Sequence, residues 1–269
     1  MATMRSSDFF ATHPVFTQAE FVSARGSAGG STRTADSLLA RQVASGRLLH
    51  VRRGLYATVP RGASPETFRP DPYLVASKLA ADAALAYHAA LQFRGRTYSV
   101  WHRFTVLAST RLRPLHFRGD EFLGVKPPRA LERLPEHGGG VVSEPHAGGL
   151  VRVTSFERTL VDLLDRPDLG GGWEEVWRSL EMVEYFDLDA VVAHALRRSS
   201  ALVAARVGLF LDVHRDELFA EDRHLEPLRE HLPKQPLYLD RRREPGRLVK
   251  AWNLVVPERV LERAWAEVS

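Results

Sequence analysis

The sequence predicts an α+β fold in two parts, a small N-terminal module and a larger mixed domain behind it. Three observations carry that reading. Helical periodicity and short β-prone runs share the first sixty residues, a proline-rich passage (VPRGASPETFRPDP) follows them, and beyond it strand-like segments give way to a mostly helical stretch. At 269 residues and 44% hydrophobic content, the chain is long enough to bury a full core and to divide it between a small and a large domain. The expected boundaries are 1–60 for the module, 61–72 for a linker and 73–269 for the C-terminal domain.

Within the module, FTQAE offers Thr17 as an N-cap with Glu20 three residues on, a capping box, and places Phe16 and Phe21 as a hydrophobic staple. That helix is expected to end near Gly26, and SAGGS to turn the chain into a second helix that starts at Ser31 or Thr32 and ends at Gly46. Along the second helix Ala35, Leu38, Leu39 and Val43 share one face, which leaves Arg33, Thr34, Ser37 and Arg41 outward. Leu48 to Val51 and Leu55 to Val59 read as a β-hairpin around Arg52, Arg53 and Gly54. With a short helix from Ser7 to Thr12, these are the parts of a winged helix-turn-helix, whose second helix enters the major groove while the wing lies along the backbone.

The charge supports duplex DNA as a partner. The net charge is +4 and the pI about 9.6, and from Met1 to Pro60 the cations Arg5, Arg25, Arg33, Arg41, Arg47, Arg52 and Arg53 face only Asp8, Glu20 and Asp36. The recognition helix opens with Ser31, Thr32, Arg33 and Thr34, combining backbone N–H groups, hydroxyls and a guanidinium at the end nearest DNA. Arg33 or Arg41 is suited to bidentate reading of guanine, while Arg47, His50, Arg52 and Arg53 are suited to gripping phosphates from the wing, and Ser37 lies on the same outer face. Each of these residues alone also reads as a helix cap or a solvated surface side chain. The ordered set of cap, helix, glycine, hairpin and Arg-Arg-Gly tip is what points to DNA.

Beyond the linker, Tyr73 to Leu79 and Ala84 to Phe93 read as helices, the second capped by Asp82. Strand-like runs at Tyr98 to Leu107, Leu115 to Phe117, Phe122 to Val125, Val141 to Val142 and Leu150 to Val153 suggest a small antiparallel sheet. A second capping box, Thr154 to Glu157, opens a helix with Phe156, Leu160, Leu163 and Leu164 on one face. Further helices are expected to Tyr185, from Asp187 to about Arg198, over 202–214 and from Glu258. Leu237 to Leu239 and Ala251 to Val256 are expected as strands that return to the sheet.

Taken in order, SGRLLHVRRGLYATVP, DPYLVASKL, AYHAALQFRG, VTSFERTLVDLLDRPDLGGGWEEVW and AWNLVVP resemble the AbiEi antitoxin family of abortive-infection toxin–antitoxin systems over nearly the whole chain. The most specific piece is ERTLVDLLDRP followed by GGWEEV. The resemblance implies a winged-helix domain that represses its own operon at inverted repeats, and a C-terminal domain that counters a nucleotidyltransferase-like toxin, in several relatives without a stable complex. Its DNA-contacting segments carry over to Ser31–Arg41 and Arg47–Arg53. Glu157, Arg158 and Asp162 carry no assigned chemistry; their spacing suggests a cap closed by Thr154 and Glu157 and an i, i+4 pair between Arg158 and Asp162.

Several chemistries find little footing. There is no cysteine, hence neither disulfide nor thiolate chemistry. The start lacks a long apolar segment and no stretch approaches the roughly 18 apolar residues of a membrane span, so a cytoplasmic protein without membrane attachment is expected. His137 with His146, and His102 with His116, lack the usual metal-ligand spacing. No Walker loop or GxSxG elbow occurs; no cofactor, metal or enzymatic activity is expected. Two alternatives stay open. A nuclease could use Asp120, Glu121 and Lys126 of GDEFLGVKPP, although the lysine does not sit two residues after an acid. An antitoxin acting purely by protein contact would instead use the arginines on an acidic toxin.

Overall fold

The computed structural model describes residues 6–25, 32–132 and 134–263. The fold is mixed α/β, and the chain divides into two compact units. The first combines Met1–Leu85 with His102–Val125 and Val142–Val153; the second combines Ala86–Trp101, Lys126–Val141 and Thr154–Ser269.

The first unit opens with α1 (Ser6–Thr12), β1 (Val15–Thr17), α2 (Gln18–Arg25), α3 (Thr32–Ala44), β2 (Leu48–Arg52) and β3 (Leu55–Thr58). The capping box forms as the sequence predicts: the Thr17 amide donates to Glu20 Oε2 at 2.7 Å and the Glu20 amide donates to Thr17 Oγ1 at 3.2 Å. Phe16 and Phe21 close the staple with ring centroids 6.1 Å apart. Phe9 and Phe10 join them, with Phe9 5.0 Å from Phe16 and Phe10 5.4 Å from Phe21. Ala35 and Leu39 from α3 and Leu48 from β2 complete this core. The strands form a three-stranded sheet in the order β1-β3-β2, both pairs antiparallel. Gly54 makes the β2–β3 turn at φ +75°, a left-handed conformation that a side chain would strain. The expected helix end at Gly26, the SAGGS turn and Ser31 lie outside the described residues.

Residues 61–72, expected as a linker between domains, lie inside the first unit. Pro65 packs against Gly46, the Arg118 guanidinium donates to the carbonyls of Pro65 and Glu66, and Asp71 caps α4 (Pro72–Ser77) while pairing with His146 at 2.8 Å. Proline-rich composition signals an extended backbone, which here is held by side chains far along the chain.

The larger sheet has the order β6-β7-β5-β4-β9-β8, from β4 (Ala84–Leu85), β5 (Arg103–Leu107), β6 (Leu115–Phe117), β7 (Asp120–Val125), β8 (Val141–His146) and β9 (Gly149–Thr154). It is mixed rather than antiparallel, because β5 pairs parallel with β7 and β4 pairs parallel with β9. The chain leaves β5, forms the edge strand β6 and turns back through β7, which slots between β6 and β5 and so must run with β5. Ala84 to Phe93 is not one helix. Ala84–Leu85 is a strand, and Asp82 accepts from the Ser109 amide at 2.8 Å instead of capping.

In the second unit, α5 (His88–Phe93), α6 (Phe156–Asp165), α7 (Trp173–Glu181), α8 (Leu188–Arg197) and α10 (Asp222–Arg229) accompany α9 (Ala201–Val213). Val203 to Leu211 of α9 are buried without interruption, the mark of a central helix. The late strands do not return to the larger sheet. β10 (Leu237–Tyr238) and β11 (Arg247–Val249) flank β12 (Leu254–Val256) in a separate three-stranded sheet, followed by α11 (Glu258–Leu261). Arg206 of α9 ties the ends together, donating to Leu239 O at 2.8 Å and to Leu164 O and Asp165 O, carbonyls at the C-terminal end of α6, at 2.9 and 2.8 Å.

Gly208 lets α9 meet Trp252, since a Cβ there would stand 2.0 Å from the indole ring. Gly208→Ala is expected to destabilise the protein by about 1–3 kcal/mol through overpacking, despite alanine's better helix propensity. The guanidinium midpoint, followed by tryptophan fluorescence, reports the loss; an unchanged midpoint would contradict this packing.

Candidate nucleic-acid interface

Helix α3 separates its residues by face. Ala35 and Leu39 are buried and Leu38 and Val43 half-buried against the phenylalanine core, while Arg33, Thr34, Ser37 and Arg41 are exposed. Ser37 Oγ donates to the Arg33 carbonyl at 3.0 Å, so its hydroxyl is engaged within the helix. Asp36 shares the exposed surface and accepts from the Gln18 side-chain amide. Of the other residues expected here, Ser31 lies outside the described residues and only the backbone of Thr32 is described, as the first residue of α3.

On the hairpin, Arg47, His50 and Arg53 are exposed, and the His50 ring lies 5.4 Å from Tyr56 on the neighbouring strand. Arg52 behaves differently. A register shift between His50 and Arg52 interrupts the ladder, and the Arg52 guanidinium donates to the Leu79 carbonyl. Half-burial lowers its pKa by desolvation. Arg52, expected as a phosphate contact, is thus committed to the chain's own backbone. Nearby, Lys78 pairs with the Glu20 carboxylate that also closes the capping box; burial pushes Glu20's pKa up, but the Lys78 contact and the Thr17 hydrogen bonds outweigh it and hold it low. The sequence shows Glu20 as a cap but gives no sign of a partner 58 residues away.

Charge is concentrated here. The seven basic and three acidic side chains of residues 1–60 account for the chain's whole formal +4, and the rest carries equal numbers of each sign. Arg61 and Arg69, in the segment read as a linker, are also exposed in this unit.

The other candidate residues resolve into separate structural roles. Asp120 and Glu121 are consecutive on β7 and so face opposite sides of the sheet. Asp120 bonds His102 Nδ1 at 2.9 Å, Glu121 bonds Arg103 Nε at 2.6 Å, and His116 Nε2 stands 3.9 Å from Glu121. Lys126 is exposed beyond the strand's end, and the three nuclease candidates do not converge. His146 is occupied by Asp71, and the side chain of His137 is outside the description. Among the described residues no group of three or more His, Asp or Glu side chains is placed to hold a metal, and no helix is long and apolar enough to cross a membrane.

The ERTL helix is capped one residue later than expected. Ser155, not Thr154, accepts from the Arg158 amide at 3.3 Å, Thr154 Oγ1 bonds Thr159 Oγ1 at 2.8 Å, and Glu157 accepts from the Asp187 amide at 3.4 Å. Arg158 and Asp162 do pair, at 3.4 Å, but both are fully buried and Arg198 joins them. Glu175 of GGWEEV receives His88 Nε2 at 3.2 Å, the Ser99 amide at 2.9 Å, Ser99 Oγ at 2.7 Å and Ser179 Oγ at 3.1 Å. The Ser99 hydroxyl thus points at the carboxylate rather than at the imidazole, unlike a nucleophile–base pair.

The arrangement defines a mixed α/β protein with a basic helix-and-hairpin module at its N-terminus. Among solved structures it is similar to the RV2827C protein from Mycobacterium tuberculosis, with a TM-score of 0.55 and 19% sequence identity over 96% of this chain and 92% of that one. That likeness is one of fold. No protein-family model matches the chain, and no curated protein does.

Burial pushes the Glu175 carboxyl up, but the His88, Ser99 and Ser179 hydrogen bonds overcome it and hold the pKa at about 2, against an ordinary 4.5. A depressed folded-state pKa contributes stability that is complete above the unfolded value and lost as pH falls from about 4.5 towards 2. Glu175→Gln is therefore expected to lower the Tm at pH 7, with the gap to wild type narrowing by pH 3. A gap independent of pH would rule out this linkage.

Proposed function

We propose that the N-terminal module is a winged helix-turn-helix and that the protein is a DNA-binding antitoxin that represses its own operon. The observation that carries the proposal is the exposed row Arg33, Thr34, Ser37 and Arg41 along α3, beside Arg47, His50 and Arg53 on the hairpin. A polar helix face with guanidiniums at its start, Arg33, and in its last turn, Arg41, suits base reading in the major groove, and cations on a hairpin suit phosphates. The resemblance to AbiEi antitoxins supplies the rest: inverted repeats upstream of the gene as the site, and a nucleotidyltransferase-like toxin countered through the second unit. On this reading the protein is cytoplasmic, needs no cofactor and catalyses nothing.

Binding of the full chain to its own upstream duplex, compared with an unrelated duplex of equal length across a salt series with magnesium present, tests the reading. Own-sequence preference with intact DNA is expected; equal or absent binding overturns it, and cleaved DNA would establish a nuclease instead. Arg33→Ala and Arg41→Ala are each expected to cut discrimination between the duplexes, by about 1–3 kcal/mol for a lost guanine contact. Arg53→Ala is expected to weaken both duplexes alike and reduce the salt slope by about 0.9 for one phosphate contact.

Arg52→Ala separates a structural arginine from a binding one. It is expected to leave the salt slope unchanged and to destabilise the fold by about 1–3 kcal/mol, because the Leu79 carbonyl loses a charged donor. A reduced slope with unchanged stability would return Arg52 to the DNA-contacting set.

A further inference from the structure

The second unit carries a surface whose charge is the reverse of the N-terminal module's. In a chain with a net charge of +4, residues 181–189 hold Glu181, Glu184, Asp187 and Asp189, residues 216–222 hold Asp216, Glu217, Glu221 and Asp222, and neither stretch contains a cation. Folding brings the two stretches together. Tyr185 and Asp189 from the first, with Glu217, Phe219 and Glu221 from the second, line an open cavity of about 280 Å³. Tyr185 is 75% exposed and Phe219 83%, and neither ring stacks on another ring or on a cation among the described residues. Phe219 also holds φ +53°, where glycine or asparagine would serve the backbone better. Neither ring contributes to the core, and both are exposed at the cavity.

The carboxylates are only partly answered from within the unit. Arg96 pairs with Glu184 at 2.9 Å, Arg223 with Glu221 and Asp189 at 3.0 and 3.4 Å, and Arg263 with Glu181 and Glu217 at 3.5 and 3.9 Å. Arg215 and Arg229 both reach Asp222, at 2.8 and 3.7 Å. Eight carboxylates thus meet five guanidiniums, three charges short of balance. His214 beside Glu181 and His224 beside Asp189 narrow the deficit to one when both are protonated, and do not reverse it. Such a surface repels phosphates and attracts cations. Among the described residues its acids do not gather into a metal-holding group. Two free aromatic faces favour a guanidinium instead, which is planar, weakly hydrated and carried on an aliphatic stem.

We infer that the second unit docks a basic segment of a partner protein at this cavity. One arginine of that segment enters it, with its stem and guanidinium against Tyr185 and Phe219 and its charge among Asp189, Glu217 and Glu221. The contact uses none of the residues assigned to DNA, so it stands or fails independently of that reading.

Fluorescence anisotropy of the full chain with a labelled Gly-Arg-Gly-Arg-Gly peptide tests this, beside the same peptide carrying citrulline, which keeps the shape of arginine and removes its charge. Saturable binding of the arginine peptide alone is expected. Tyr185→Ala combined with Phe219→Asn keeps every charge and is expected to weaken binding about tenfold, through the loss of two exposed cation–π contacts, with the Tm unchanged. Absent binding, equal binding of the citrulline peptide, or binding indifferent to the two rings overturns the inference. Should the double variant not fold, a benzophenone-bearing arginine peptide cross-linked to the wild type decides: adducts within residues 181–189 and 216–224 support the site, and adducts elsewhere overturn it. Sedimentation of the free chain separates the remaining occupant. A monomer supports a foreign partner, whereas a dimer that the double variant abolishes gives the cavity to a second copy of this chain and overturns the assignment.

Discussion

The aromatic cluster of Phe9, Phe10, Phe16 and Phe21 is the constraint on which the N-terminal module rests. Helices α1 and α2 have 7 and 8 residues, well short of the roughly 12–15 that are even marginally stable alone. They exist because their phenylalanines share one interior with Ala35 and Leu39 of α3 and Leu48 of β2. Once α3 lies on that interior through Ala35 and Leu39, its other face has nowhere to go but solvent. The exposure of Arg33, Thr34, Ser37 and Arg41 is therefore a consequence of packing beneath the helix.

The hairpin shows how close in sequence two different roles can lie. Arg52 and Arg53 are adjacent and chemically identical, yet Arg53 is exposed while Arg52 is turned onto the Leu79 carbonyl at the interruption in the β2–β3 ladder. Together with the Lys78–Glu20 pair and the seat of Pro65 on Gly46, this ties the module to the segment that follows it. A hairpin joined to its own unit through side chains in this way holds its exposed cations, Arg47 and Arg53, in fixed positions.

The second unit depends on arginines used internally. Arg158, Arg198 and Arg206 are all buried, and desolvation pulls each pKa down to about 10, which still leaves them charged at neutral pH. A buried charge is tolerable only when it is paired or hydrogen-bonded. Arg206 meets that condition with three backbone carbonyls, while Arg158 and Arg198 share Asp162. This gives the ERTL segment a structural role, and removing any one member would strand the others.

By itself the sequence determined whatever depends on residues a few positions apart. The Thr17–Glu20 box, the Phe16–Phe21 staple, the apolar stripe of α3, the hairpin around Gly54, the Asp187 cap and the Arg158–Asp162 pair all follow from local spacing, because caps, periodicity and turns act within about one helical turn. Tertiary structure decided the remainder. It split Ala84 to Phe93 into strand and helix, set β7 parallel to β5, gave the late strands their own sheet and drew residues 61–72 into the first unit. It also took Arg52 out of the exposed set and gave Asp162 a second arginine 36 residues along the chain. The reason is physical: whether a cation faces water or a buried carbonyl depends on what the rest of the chain brings within about 3 Å, and residue type and spacing do not encode that distance.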